Sequence, residues 1–218
     1  MIPLVHDFTD ASVLVVGGGA VGARKARRFA READVVVLSP AFADADFGDA
    51  ERVQAAPDPG DAGDWVARVD PELVVAATDD DAVNDAFAAA AREAGALVNR
   101  ADESGGRDAD SVVVPATVGD GPVSVAVTTG GESPALSKFL REEIESHLEG
   151  AGEMAELTAE LRTELRAADV PEETRRDAVR AVVRSEPVWK ALRTGGTNPR
   201  KTADDVVETV VGELEWST

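Results

Sequence analysis

The sequence has no cysteine and only two histidines, His6 and His147, in 218 residues. The first absence excludes disulfides, thiolate zinc sites, iron–sulfur clusters and a cysteine nucleophile. The two histidines stand far apart in the chain and read as surface or packing residues, so no metal site is expected. Long apolar runs are missing as well; none approaches the roughly 20 residues that span a bilayer. The opening residues, Met1 to Asp7, are neither basic nor apolar for long enough to make a secretion signal. The expectation is a chain that stays in the cytoplasm and off the membrane. Basic residues are few: 22 against 42 acidic ones, a net charge of −20. That balance argues against nucleic acid as the main partner. Only four of the 22 are lysine (Lys25, Lys138, Lys190 and Lys201), which leaves 18 arginines. No long acidic run, internal repeat or low-complexity linker occurs. Acids spread over the whole chain keep a surface soluble where salt screens their repulsion, which points to a salty cytoplasm of the haloarchaeal kind. An acidic face for a partner is the alternative.

What is present begins at residues 12–25, Ser-Val-Leu-Val-Val-Gly-Gly-Gly-Ala-Val-Gly-Ala-Arg-Lys. A short apolar strand runs into Gly17-x-Gly19-x-x-Gly22 and then into a helix-compatible stretch. This is the layout that cradles a dinucleotide pyrophosphate. Gly17 permits the tight turn, Gly19 lets the backbone approach the phosphates, and Gly22 lets helix and strand pack closely. The phosphates then rest on free N–H groups of a helix N-terminus. The alternative is a glycine-rich turn in another kind of α/β protein. NAD-binding folds commonly end the second strand with an acid that bonds the adenosine ribose. Here Leu38-Ser39-Pro40 occupies that place. Ser39 can still donate and accept a ribose hydrogen bond, and no arginine is at hand for a 2′-phosphate, which favours NAD over NADP.

A chain of this length, 44% hydrophobic, can hold one large domain or two small ones with ample core. Strand and helix alternate through its first half. Strands are predicted at 13–16, 35–38, weakly at 52–55, at 73–78 and at 96–99. Helices are predicted at 20–32, in a stretch ending at 65–69, and at 80–94, closed by Gly95. Such alternation implies a doubly wound parallel sheet. Segments 111–118 and 122–129, around Gly119-Asp120-Gly121, read as a hairpin outside that sheet. Within it Val123, Val125 and Val127 alternate with Ser124, Ala126 and Thr128. Ser133 is a good N-cap and Pro134 a good first helical residue. The rest is helical in pattern, broken near 150–152, 170–171, 185–187 and 195–196, with Met154 and Trp189 as helix packing residues.

Asp102 follows the strand at 96–99, on the carboxyl edge where open α/β sheets bind ligands. A carboxylate there can take or give a proton beside a nicotinamide, or it is one loop acid among many. Arg24, Lys25, Arg27 and Arg28 crowd the first helix. Arg100, Arg107, Lys138 and Arg141 lie near the second glycine-rich turn and its helix. Clustering of this kind in an acidic chain suits an anionic ligand, since the arginine fork matches carboxylates. Ion pairing with neighbouring acids is the alternative for Arg27, Arg28 and Arg141.

Taken together, Gly-Gly-Gly-Ala-Val-Gly-Ala-Arg-Lys at 17–25, Ala-Ala-Thr-Asp-Asp at 76–80 and Val-Asn-Arg-Ala-Asp at 98–102 resemble the precorrin-2 dehydrogenase family, the N-terminal part of siroheme synthase type. Val-Pro-Ala at 114–116, Val-Ala-Val-Thr-Thr-Gly-Gly-Glu-Ser-Pro-Ala-Leu-Ser-Lys at 125–138 and the opening Ile-Pro-Leu extend the resemblance over residues 2–150. It implies an NAD-dependent oxidation of precorrin-2 to sirohydrochlorin, with Asp102 as catalytic residue, a general base toward the macrocycle. Some members of the family also insert iron into sirohydrochlorin as ferrochelatases. The resemblance carries NAD contacts onto Ala20, Val21, Pro40 and Ala41, beside Gly17, Gly19, Gly22 and Ser39 from the residues themselves, with Thr78 in the cofactor set. It gives Arg24, Lys25, Arg100 and Lys138 a polycarboxylate substrate to hold. It also implies a homodimer paired through the hairpin. The fold class is therefore α/β, with an N-terminal Rossmann-like parallel sheet (1–110), a β-hairpin dimerisation segment with its helix (111–149) and a helical C-terminal domain (150–218). The competing reading is an NAD-binding regulatory module without catalysis. Such modules usually carry the acid at the end of the second strand, which is absent here.

Overall fold

Apolar runs of valine and leucine build most of a five-stranded parallel sheet in the computed structural model, which describes residues 3–101 and 111–212. Its strands are β1 (Ser12–Val16), β2 (Asp34–Ser39), β3 (Glu51–Gln54), β4 (Leu73–Ala76) and β5 (Leu97–Arg100), in the order β3-β2-β1-β4-β5. Between them lie α1 (Ala20–Phe29), α2 (Ala62–Val69) and α3 (Asp81–Glu93). Val13 and Val15 pack with Ala23 and Ala26 of α1 on one face, while Leu14 and Val16 pack with Val66 of α2 and Phe87 of α3 on the other. Burial on both faces explains why β1 and β4 are continuous apolar runs. Edge strand β3, with Glu51, Arg52 and Gln54 exposed, is polar for the opposite reason: charge blunts an open edge. The order reverses between β1 and β4, so the crevice for a ligand opens at the carboxyl ends of these two strands.

Several expected boundaries move, three of them for reasons the contacts show. Helix α1 ends at Phe29 rather than 32, because the N–H groups of Glu32 and Ala33 both turn back to the Phe29 carbonyl as the chain reverses into β2. Strand β4 ends at Ala76 rather than 78, where Asn84 takes over the backbone of Thr78. The third concerns the segment expected to open the hairpin. Ser111 instead makes a parallel bridge to Val98, and the Val112 N–H donates to the Val98 carbonyl at 2.8 Å. A run of valines pairs with any open edge, and that of β5 is available. The antiparallel hairpin proper is β6 (Ala116–Asp120) with β7 (Val123–Val127). It turns on Gly121-Pro122, with φ +52° at Gly121, a sign that suits a two-residue hairpin turn of the II′ sense.

The described residues fall into two units: those through Val114 with Gly130–Glu132, and Pro115–Thr129 with Ser133 onward. The second unit holds the hairpin and α4 (Pro134–Glu145), α5 (Ala151–Ala167), α6 (Glu172–Val183), α7 (Glu186–Thr194) and α8 (Pro199–Val211). Gly150 and Gly195, both left-handed, and Pro171 and Pro187 stand at the breaks, as the pattern predicts. Leu157, Leu161 and Leu165 of α5 form its core with Val182, Val188 and Val207. Met154 is buried there and Trp189 packs against it. Arg200 ties α8 to α5 through Glu164. Helix α4 is capped by Ser133, whose hydroxyl accepts from the Leu136 N–H at 3.3 Å. It lies on the hairpin but buries none of its own residues. No helix of the described residues is long and apolar enough to cross a membrane.

Candidate functional site

The turn between β1 and α1 is held from both sides by backbone. Gly17 has φ +121°, and a Cβ there would meet the Ala77 carbonyl oxygen at 2.4 Å. A Cβ on Gly22 would meet the Gly17 carbonyl oxygen at 1.9 Å. These contacts leave no room for a side chain at either position. Gly18 is constrained in the same way by the Ala41 carbonyl at 2.4 Å, and its own carbonyl accepts from the Ala43 N–H at 2.8 Å. Sequence reasoning assigned it no role. Gly19 differs: it is exposed, and a Cβ on it meets nothing within 4 Å. The open space above Gly19 is where an approaching group would come.

Helix α1 starts at this point with no side-chain cap, because its N-cap is Gly19. Helix α3 also starts at the carboxyl edge, but the Asp80 carboxylate accepts from the N–H groups of Ala82 and Val83 and so satisfies its own helix. Of these two helix N-termini only that of α1 is left without a side-chain acceptor, among the described residues, and with Ala20 exposed. Orphan N–H groups at the positive end of a helix suit a phosphate. The donor set thus fits a dinucleotide pyrophosphate on Gly19, Ala20, Val21 and Gly22.

The neighbouring turns are braced. The Ser39 hydroxyl, buried, donates to the Ala41 carbonyl at 2.7 Å, so its proton holds the Pro40-Ala41 turn rather than facing outward. Thr78 is fixed by Asn84: its N–H and hydroxyl both donate to the Asn84 Oδ1, at 3.1 and 2.8 Å, and the Asn84 amide donates to the Thr78 carbonyl at 3.0 Å. Asn84 is fully buried on the core face of α3, beside Val83 and Phe87. A polar residue on that apolar stripe is the signal that could have singled it out.

On the α1 face of the sheet lies a cleft of about 180 Å³, lined by Val21, Arg24, Lys25, Asn99 and the segment 111–114. The Lys25 ammonium donates to the Asn99 Oδ1 at 2.9 Å, and the Asn99 amide donates to the Val112 carbonyl at 2.8 Å. Burial, reinforced by Arg24 and Arg28, brings the Lys25 pKa down to about 8. Arg100 also borders the cleft, but its guanidinium pairs with Asp85 of α3. Lys138, in the other unit, is exposed on α4 with Glu142 at 3.9 Å. Arg27 sits 3.7 Å from Asp46, and Arg141 pairs with Glu142 and Glu145, as the ion-pair alternative predicts. His6 packs against Phe8 with the rings tilted by 56°, and the His147 Nδ1 meets the Glu143 carbonyl. Asp102 and Arg107 lie outside the described residues.

An NAD(P)-binding family model matches residues 4–116, and one described as the central part of the sirohaem biosynthesis protein matches residues 120–147. A precorrin-2 dehydrogenase of Methanosarcina barkeri is 33% identical over 203 residues, 88% of this chain and 86% of that protein. A siroheme synthase of Nitrosomonas europaea is 33% identical over 80% of this chain, but the chain spans only 37% of that longer protein. Among solved structures, SirC, a precorrin-2 dehydrogenase, superposes with a TM-score of 0.70 over 96% of this chain and all of its own, at 22% identity, and so shares the fold.

Proposed function

The chain belongs to the precorrin-2 dehydrogenase and siroheme synthase family, and from that premise we propose that it oxidises precorrin-2 to sirohydrochlorin with NAD. The observation that carries this reading is the 33% identity to a precorrin-2 dehydrogenase over 88% of this chain and 86% of that protein. NAD, when bound, supplies the hydride acceptor. Gly17, Gly19, Ala20, Val21 and Gly22 hold its pyrophosphate, with Ser39, Pro40, Ala41 and Thr78 around it. The choice of NAD over NADP is supported by a second strand that ends in Leu38-Ser39-Pro40, with no arginine for a 2′-phosphate. Arg24, Lys25, Arg100 and Lys138 meet substrate carboxylates, where charge-assisted hydrogen bonds are strongest. Asp102 takes the proton released as conjugation extends.

The active species in this reading is a cytoplasmic homodimer. Exposed Leu136, Phe139 and Leu140 on one face of α4, and the half-buried valines of β7, support a second copy as the cover for that apolar surface. Purified protein given NAD and precorrin-2 without oxygen should produce sirohydrochlorin absorbance and NADH together. Asp102→Ala should lower kcat by roughly a hundredfold or more while NADH binding persists. Wild type that forms neither product in high salt overturns the reading. Cobaltous or ferrous ion with sirohydrochlorin tests metal insertion as a separate activity.

A further inference from the structure

The Lys25–Asn99 contact is built, not incidental. Lysine only donates and a peptide carbonyl only accepts, so the Asn99 carboxamide has one orientation that satisfies both neighbours: Oδ1 toward Lys25 and Nδ2 toward the Val112 carbonyl. Asn99 is buried, and its strand β5 holds it in register. The amide therefore fixes the ammonium at the floor of the cleft.

The charges of α1 that act on that ammonium are Arg24 and Arg28. From β5, Asn99 is neutral, and Arg100, which borders the cleft, is paired with Asp85; the segment 111–114 contributes Ser111 and three valines. Among the described residues no carboxylate lies within ion-pair distance of Lys25. A cation withdrawn from water beside other cations is costly unless an anion joins it. The cleft, at about 180 Å³, is far too small for a tetrapyrrole and suits one carboxylate side chain with its water.

We propose that Lys25, positioned by Asn99, is a proton-gated subsite that seats a single carboxylate side chain of the substrate and sets the affinity for it. The inference rests on the dehydrogenase reading above and adds which cation acts and what switches it. In the charged state Lys25 binds the carboxylate. As pH rises through about 8 it loses its proton, and the subsite keeps the shape but not the attraction. A guanidinium does not titrate in that range, so the loss belongs to Lys25. Asn99 is a positioning residue: it acts through Lys25.

The test is KM for precorrin-2, with kcat, from about pH 6.5 to about pH 9.5, alongside sirohydrochlorin binding by absorbance and NADH binding by fluorescence. Wild-type KM should be flat below pH 8 and rise toward tenfold per unit above it, with kcat little changed. Lys25→Arg, which keeps a charge that does not titrate there, should remove the rise. It also separates Lys25 from the amino terminus, which titrates in the same range. Lys25→Met should raise KM about tenfold or more at neutral pH, make it independent of pH, weaken sirohydrochlorin equally, and leave NADH binding unchanged. Asn99→Asp should weaken sirohydrochlorin as well, because its own carboxylate then takes the ammonium. Flat wild-type KM to pH 9.5, or a rise that persists in Lys25→Arg, overturns the subsite while turnover of precorrin-2 stands. Absence of turnover at every pH instead overturns the dehydrogenase reading on which it rests.

Discussion

At the scale of single residues, the three glycines of the turn differ in what each would suffer from a side chain. Gly17 and Gly22 are closed off by backbone, while Gly19 faces open space. This predicts a split between folding and binding. Gly22→Ala should unfold the turn and lower Tm sharply, since the Cβ would overlap the Gly17 carbonyl. Gly19→Ala should keep the wild-type Tm yet weaken NADH about tenfold or more, some 1.4 kcal/mol, because its methyl enters the space a pyrophosphate needs. Equal NADH affinity in Gly19→Ala, measured by fluorescence titration, would remove Gly19 from the site. The glycine spacing was legible because it rests on local geometry. The work of Asn84 and Asn99 was not. Asn84 acts on Thr78 through the turn from β4 into α3, and Asn99 meets Lys25 through the tertiary fold, 74 residues away in sequence.

At the scale of elements, helix α4 is the one whose sequence and surroundings disagree. Its cap, Pro134 and amphipathic spacing all specify a helix, yet none of its residues is buried and Phe139 is 56% exposed. Leu136, Phe139 and Leu140 fall at i, i+3 and i+4, one stripe on one side. In the proposed dimer that stripe is covered. Phe139→Asp should then convert a species of twice 22.7 kDa to the monomer mass in light scattering, with helix content unchanged. A wild-type monomer at micromolar concentration would refute the dimer. Most elements were legible from period and punctuation: strands by continuous apolar runs, helix breaks by Gly150, Pro171, Pro187 and Gly195. The segment 111–114 was not, since Val112, Val113 and Val114 suit either sheet and only the free edge of β5 decides between them.

Across the whole molecule the net charge of −20 sets how stability responds to salt. Ion pairs such as Arg176–Glu172 and Arg180–Asp177 use few of the acids and are exposed, so each contributes little. The excess negative charge repels itself in the compact state, and screening at about 1 M salt shortens its reach to roughly 3 Å. Tm should therefore rise by several degrees or more between about 0.1 M and about 3 M KCl. A Tm that falls across this range in scanning calorimetry would assign the acids to a partner rather than to salt.

Composition, the glycine turn, the sheet class and the helix breaks of the second half were determined by the sequence itself. They depend on charge count, on side-chain period and on allowed φ, all of which act between near neighbours in the chain. The docking of 111–112 on β5 and the seating of Lys25 against Asn99 were decided only by the tertiary structure. Each requires two segments distant in sequence to meet at the carboxyl edge or on one face of the sheet. What a buried donor or acceptor finds there is a property of the fold, not of the residue.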